Sequence, residues 1–257
     1  MSRLVSLLYG CAVYLLFLAT FLYTIGFVAG APGLKTLDSG APGAGWAAFA
    51  IDLSLLGIFA VQHSVMARRE FKRWWTTIVP PAVERSTFVL AATSTVALLI
   101  WQWRPLPTVI WAVHDRAAQD LLIAIAGLGW AMLLIATFLI NHFELFGLQQ
   151  VYDHWRGYRF DPPPFRTPAL YKIVRHPIYL GFLLGFWATP FMTAGHLLFA
   201  TATTGYIFIG ILFEERDLIA RFGEEYRRYR QRVPMLLPFP LRGETERSRQ
   251  GSGSRAR

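Results

Sequence analysis

The 257-residue chain is 54% hydrophobic and only 16% charged, with a mean hydropathy of +0.38. That balance excludes an ordinary soluble domain and points to a protein of the bilayer. The formal net charge of +9 would suit nucleic acid, but the cations fall in short loops between apolar runs, where membrane topology and anionic headgroups account for them, so no nucleic-acid partner is expected.

Residues 4–34 carry no formal charge. This run is longer than the roughly 7 to 15 residues of a signal-peptide core, so a retained first helix is expected even though Ala29-Gly30-Ala31 resembles a cleavage site. The single cysteine, Cys11, lies in this run, which excludes an internal disulfide and suits a small buried hydrophobe. Ala44 to Met66 contains only Asp52, and residues 86–103 and 121–143 contain no charge at all, which predicts three further spanning helices. Asp52 is expected to bond a neighbouring helix, and His63 to lie near the inner end of its helix.

The next apolar run decides the fold. From Ile178 to Phe213, 36 residues pass without an Asp, Glu, Lys or Arg. One straight helix of that length would measure roughly 54 Å against a hydrocarbon core of about 30 Å. Pro190, Thr193 and Gly195 interrupt the run, so it is expected to dip and return as a hairpin that brings Glu214 back to the level of His176. The expected fold class is an all-α integral membrane protein with five to six transmembrane helices including a C-terminal helical hairpin. The count is six if the short first arm, Ile178 to Thr189, spans fully.

The loop 67–85 holds Arg68, Arg69, Lys72, Arg73 and Arg85, and the loop 144–177 holds Arg156, Arg159, Arg166, Lys172 and Arg175, whereas the alternate loops are nearly free of cations. Both rich loops and both termini are therefore expected in the cytoplasm, in the plasma or inner membrane. Residues 1–240 read as one membrane-embedded domain, with a cofactor-binding part at about 141–238, and residues 241–257 as a disordered tail.

No Gly-rich phosphate loop, His-Glu-x-x-His or Gly-x-Ser-x-Gly is present, and the six histidines are scattered, so no metal site is expected. Three polar groups at the inner membrane surface remain. Tyr171 with Arg175-His176-Pro177-Ile178-Tyr179 precedes the hairpin, and Pro177 in a first helical turn leaves amides free to face an anion; interfacial anchoring of His176 and Tyr179 fits the same spacing. Glu214-Glu215, at the hairpin exit, suits an amine or ribose hydroxyls, or a solvated helix continuation with Glu215 facing the Arg216 side. Asn141-His142-Phe143-Glu144, followed by Gln149, suits a cavity lining or plain end-caps.

Arg-His-Pro-x-Tyr-x-Gly from Arg175, the apolar hairpin, Glu-Glu-x-x-Leu-x-x-x-Phe-Gly-x-x-Tyr-x-x-Tyr from Glu214 and the closing Val233-Pro234 resemble the C-terminal signature of the isoprenylcysteine carboxyl methyltransferase and phospholipid methyltransferase superfamily, over roughly residues 165–238. Upstream, Gln62-His63-Ser64, Glu84-Arg85-Ser86, the stretch Trp101 to Trp111 and Asn141 to Leu148 resemble its NnrU-like branch, and most closely the bacterial methanethiol S-methyltransferases.

The resemblance implies an S-adenosylmethionine-dependent enzyme whose cofactor contacts fall on Tyr171, His176, Pro177, Ile178, Tyr179 and Glu214, acting on a small volatile thiol. One departure is informative: where the prenylcysteine enzymes carry an Arg one turn before the Glu, this chain has Gly210. No cation waits there for a carboxylate, which favours an uncharged nucleophile such as methanethiol. Asn141, Gln149 and Gly210 are the substrate-side candidates, and His176, His142 or Glu144 the candidate proton acceptor. Alternative readings are methylation of another thiol, an isoprenoid or a phospholipid, and a non-enzymatic NnrU-like accessory protein of nitrogen-oxide metabolism.

Overall fold

A computed structural model describes residues 2–41, 44–159 and 164–238; the expected tail at 241–257 lies outside them. Five helices are long and apolar enough to cross a membrane: α1 (Arg3–Ala29), α2 (Gly45–Ala67), α4 (Pro81–Gln102), α5 (Arg116–Ile140) and α9 (Ala194–Phe222). Between and after them lie the short helices α3 (Arg69–Trp75), α6 (His142–Leu145), α7 (Leu148–Arg156), α8 (Pro177–Trp187) and α10 (Glu224–Arg232), a 3₁₀ turn at Ala169–Lys172, and the short strands β1 (Val109–Ala112) and β2 (Phe191–Thr193). The protein is an all-α integral membrane protein. Its helix starts follow ordinary capping: Ser2 Oγ accepts from the Val5 amide, Asp115 Oδ1 from Ala118, and Thr193 Oγ1 from His196. Gly30 closes α1 in the left-handed region, at φ 70°.

Among the described residues the membrane part is five long helices plus one short hairpin arm, α8, rather than six full helices. α8 has 11 residues, about 16 Å of helix, whereas Ala194 to Glu214 in α9 rises about 30 Å. Because His176 sits beside Glu214 at one end and the arms join at Thr193 at the other, both must cover the same height. Residues 188–193 make up the difference as extended chain, which can reach up to about 20 Å. Non-helical backbone near lipid needs partners, and β2 finds them by pairing antiparallel with β1; the Val113 amide also donates to Pro190 O, and Trp111 Nε1 to Thr189 O.

The loops sort into two faces. On one, Lys35 Nζ donates to Trp101 O at 2.5 Å, Thr193 Oγ1 to Asp38 Oδ1 at 2.5 Å and Trp103 Nε1 to Leu37 O at 3.1 Å. Asp52 belongs to this half and accepts from the Arg104 amide at the end of α4, the structural bond its place in the sequence suggests. On the other face Arg69 donates to Asp217 O, Arg85 to Leu145 O and Arg175 to Arg230 O.

The core lies between these faces around Phe27, Trp103, Trp130, Phe186 and Phe199. α1 runs along α4 and α7, α2 lies on α4, and α5 holds α8. The last contact depends on three glycines. A Cβ on Gly181 would sit 2.6 Å from Gly129 O, one on Gly129 2.8 Å from Gly181 O, and one on Gly185 2.7 Å from the Trp130 ring. Gly181-x-x-x-Gly185 is the small-residue spacing that lets membrane helices approach closely. Ala at Gly129 or Gly181 therefore forces the backbones apart and lowers stability by about 1–3 kcal/mol in thermal unfolding of the detergent-solubilised protein. Gly205→Ala, with nothing within 4 Å of the new methyl, leaves stability unchanged or raised.

Candidate active site at the foot of the hairpin

Glu215 is the centre of the polar cluster where the two hairpin arms meet. Its side chain is 9% exposed, with Oε1 3.0 Å from Arg175 Nη2 and 3.2 Å from His176 Nε2, and Oε2 3.5 Å from Arg230 Nε. Two further segments of chain thus converge on the carboxylate carried by α9. The expectation that Glu215 faces the Arg216 side is corrected: Arg216 lies over the Phe213 ring, and Glu215 points inward. A buried acid at a helix end needs its counter-charges, and Arg175, two residues before α8, and Arg230, on α10, supply them. Main-chain bonds reinforce the clasp, the Arg175 amide donating to Pro234 O and the His176 amide to Met235 O.

Glu214, one residue earlier and about 100° around α9, faces another way. Its side chain is 43% exposed, Oε2 lies 3.7 Å from His176 Nδ1, and the Tyr179 hydroxyl sits beside it. Tyr171 approaches the same carboxylate, sends its hydroxyl to Ala136 O on α5 at 3.4 Å, and accepts a bond from Tyr229 Oη on its own carbonyl at 2.6 Å. Burial, and then the Glu214 charge, push the Tyr171 phenol upward; burial is the main cause for Tyr226 and Tyr229 too, and carries Tyr229 to about 12. These phenols therefore stay protonated near neutral pH, and Tyr171 and Tyr229 donate their hydroxyl protons to main-chain carbonyls.

Pro177 is fully buried at the first position of α8, which leaves the Ile178 and Tyr179 amides without intrahelical acceptors. The Ile178 side chain turns away toward the aromatic core, so only its backbone borders the cluster. Beside Tyr179, a Cβ on Gly210 would meet nothing nearer than the Tyr179 hydroxyl at 3.9 Å. Ile207 and Ile211, on the same helix, pack with Tyr179, Met235 and Leu236 as an apolar cluster beside this position. Tyr171, His176, Pro177, Tyr179, Gly210 and Glu214 are thereby brought together.

The third polar group stands at its own corner. Asn141 Oδ1 accepts from the Glu144 amide at 3.3 Å while its Nδ2 donates to Glu144 Oε2 at 3.2 Å, and Gln149 Nε2 donates to Asp153 Oδ1 at 2.8 Å. His142 is buried with both ring nitrogens at 2.9 Å from hydroxyls, Tyr14 on α1 and Thr137 on α5, and it stacks on Phe138. The His142 bonds tie α1, α5 and α6 together. Burial pushes the His142 imidazole down from its ordinary value and the Glu144 carboxyl up, the latter against the Asn141 bond and the Arg85 and Arg221 charges.

What the sequence reading missed is the structural role of Glu215, with Arg175 and Arg230 as its partners. The doubled acid at the end of an uncharged span was its only signal, since Arg230 lies one short helix further on.

Known proteins add a family to this geometry. The chain is 56% identical over 237 residues to methanethiol S-methyltransferase 1 of Bradyrhizobium diazoefficiens, covering 92% of this chain and 83% of that protein. It is 54% identical over 242 residues to methanethiol S-methyltransferase of Mycobacterium tuberculosis, covering 94% and 99%. The chain belongs to the methanethiol S-methyltransferase family. It is therefore a methyltransferase of the membrane, and the accessory-protein alternative falls away. A more distant relative is human nurim, at 29% over 230 residues, 81% of this chain and 85% of nurim. No protein-family model and no solved structure matches the chain.

Two outcomes follow from the charges. Glu215→Gln leaves Arg175 and Arg230 without their shared partner and lowers stability by about 3–5 kcal/mol, while adding Arg175→Met recovers part of that loss; a double-mutant cycle on thermal unfolding reads the coupling. His142, with its folded value below the ordinary 6.5, adds stability that is complete above pH 6.5 and is lost as the pH falls below it. In His142→Phe the acid side of the unfolding temperature profile is correspondingly flatter.

Proposed function

We propose that the protein uses S-adenosylmethionine to methylate methanethiol, at a site opening on the cytoplasmic side of the membrane. The observation that carries this reading is the paired geometry of Glu214 and Gly210: a half-exposed carboxylate with phenol and imidazole neighbours, one helical turn from a gap bordered by Tyr179 and an apolar wall. The donor set fits the cofactor. Glu214 can accept from ribose hydroxyls or an amine, the free amides of Ile178 and Tyr179 can face its carboxylate, and Ile207, Ile211, Met235 and Leu236 offer apolar surface. The uneven distribution of cations between loops supports the cytoplasmic assignment.

When bound, S-adenosylmethionine supplies a methyl group on a sulfonium, and the products with methanethiol are dimethyl sulfide, S-adenosylhomocysteine and a proton. The chain's part is to align the sulfur, exclude water and accept that proton. Taking cysteine as a guide, at about 8.5, a thiol is largely protonated near neutral pH. His176 is the best placed of the three candidate acceptors. With its Nε2–H given to Glu215, Nδ1 is left free on the side of Glu214, and two carboxylates bracket an imidazolium formed there. His142 already has both nitrogens engaged, and Glu144 is held by Asn141. At Gly210 no cation is available to anchor a carboxylate, which supports a small uncharged acceptor over a prenylcysteine; a lipid or isoprenoid would need a wider opening.

Headspace gas chromatography on membranes carrying the protein, supplied with S-adenosylmethionine and methanethiol, tests the reading. Dimethyl sulfide is expected from the wild type and is reduced at least about a hundredfold in Glu214→Ala, as for loss of a charged ligand contact. Cofactor binding without dimethyl sulfide would instead mean a different acceptor. Gly210→Ala retains turnover, because the added methyl makes only an ordinary contact with Tyr179, whereas Gly210→Leu fills the gap and raises KM for the thiol.

A further inference from the structure

A groove of about 570 Å³ lies behind the site, between residues 165–172 and α10. Arg166, Lys172, Arg228 and Arg232 line it, opposed by the single carboxylate of Glu225, and Phe165, Tyr229 and Val233 form its floor. Among the described residues, none of the four cations lies within ion-pair distance of a carboxylate. Four positive groups gathered around one concavity repel one another, and an anion seated among them removes that cost. The groove is ordered by its own packing: the Phe165 ring lies against Phe222, Tyr226 and Tyr229.

Its depth in the membrane is marked by apolar side chains. Ile173, next to Lys172, is 54% exposed, and Leu237, just beyond Val233, is 56% exposed. On α9 the lipid-facing residues Phe208, Ile209 and Leu212 end immediately before Glu214. Exposed aliphatic residues beside a basic concavity place its mouth where acyl chains give way to headgroups.

We propose that this groove is a binding site for the phosphate headgroup of an anionic phospholipid from the adjoining leaflet. The headgroup phosphate is held by Lys172, Arg228 and Arg232, with Arg166 at the rim, while the acyl chains run down past Ile173 and Leu237. α10 forms one wall of the groove and also carries Arg230 to Glu215, and Tyr229 joins that wall to Tyr171. An occupied groove therefore steadies the helix that holds the cofactor-side clasp.

The test uses the purified full-length protein in neutral detergent, titrated with phosphatidylglycerol and read by native mass spectrometry. Each cation near an anionic headgroup is worth about a factor of five, so Lys172→Gln/Arg228→Gln/Arg232→Gln is expected to weaken binding by at least about tenfold. Lys172→Arg/Arg228→Lys/Arg232→Lys, which keeps every charge, retains it. Arg69→Gln/Arg73→Gln/Arg156→Gln, with the same charge loss elsewhere, stays within about twofold. Equal weakening in this last variant would overturn the proposal in favour of diffuse attraction. Displacement of the lipid by inorganic phosphate at comparable concentration would overturn it in favour of a free-phosphate site. Should the triple Gln variant fail to fold, the single Arg228→Gln variant carries the test: a loss of about fivefold supports the site, and unchanged binding overturns it.

Discussion

The buried carboxylate of Glu215 is the interaction on which the working end of the molecule depends. Three residues on two other segments satisfy it, Arg175 and His176 before α8 and Arg230 on α10. A charge so placed is costly when unpaired and tolerable only when all its neighbours arrive together, so it selects one arrangement of the 175–176 segment, α9 and α10. Glu214 inherits its position from that choice. Rotated about 100° along the same helix, it reaches only the other ring nitrogen of His176, away from Arg175 and Arg230, and is turned toward Tyr179 and the position of Gly210. Of two adjacent glutamates, one is buried among counter-charges and the other is half exposed beside Tyr179.

A second constraint comes from the bilayer. The short helix α8 must match a longer α9 in height, and the extended residues 188–193 that make up the difference carry backbone groups which need partners. The β1–β2 ribbon provides them, which gives the otherwise unremarkable loop after α4 a structural purpose. α8 is meanwhile pressed against α5 through Gly129, Gly181 and Gly185. Close packing on that side leaves the opposite side of α8, with Tyr179, facing α9 and the open position at Gly210. The uncrowded position beside Tyr179 thus follows from where the small residues lie.

Family membership and geometry meet at Gly210. Relatives of about 50% identity are named for a thiol of one carbon, and a site with no cation opposite Tyr179 and an apolar wall is suited to a nucleophile with nothing to grip but its sulfur. Orientation of such a substrate rests on exclusion of water and on the shape of the gap rather than on hydrogen bonds.

Much of this was legible in the sequence because the bilayer imposes simple rules. Uncharged runs longer than a membrane is thick, interrupted by Pro190 and Gly195, specify spanning helices and a hairpin, and the return of that hairpin puts His176 and Glu214 on one side whatever the packing. The residues with perturbed or paired chemistry near Glu214 were also visible as a motif. What the tertiary structure alone decided is which of two neighbouring acids is buried, that His142 spends both nitrogens on Tyr14 and Thr137, and that α8 stops after 11 residues. Those outcomes depend on contacts between residues far apart in the chain, Glu215 with Arg175, Tyr14 with His142, Gly129 with Gly181, and no local periodicity or hydropathy encodes them.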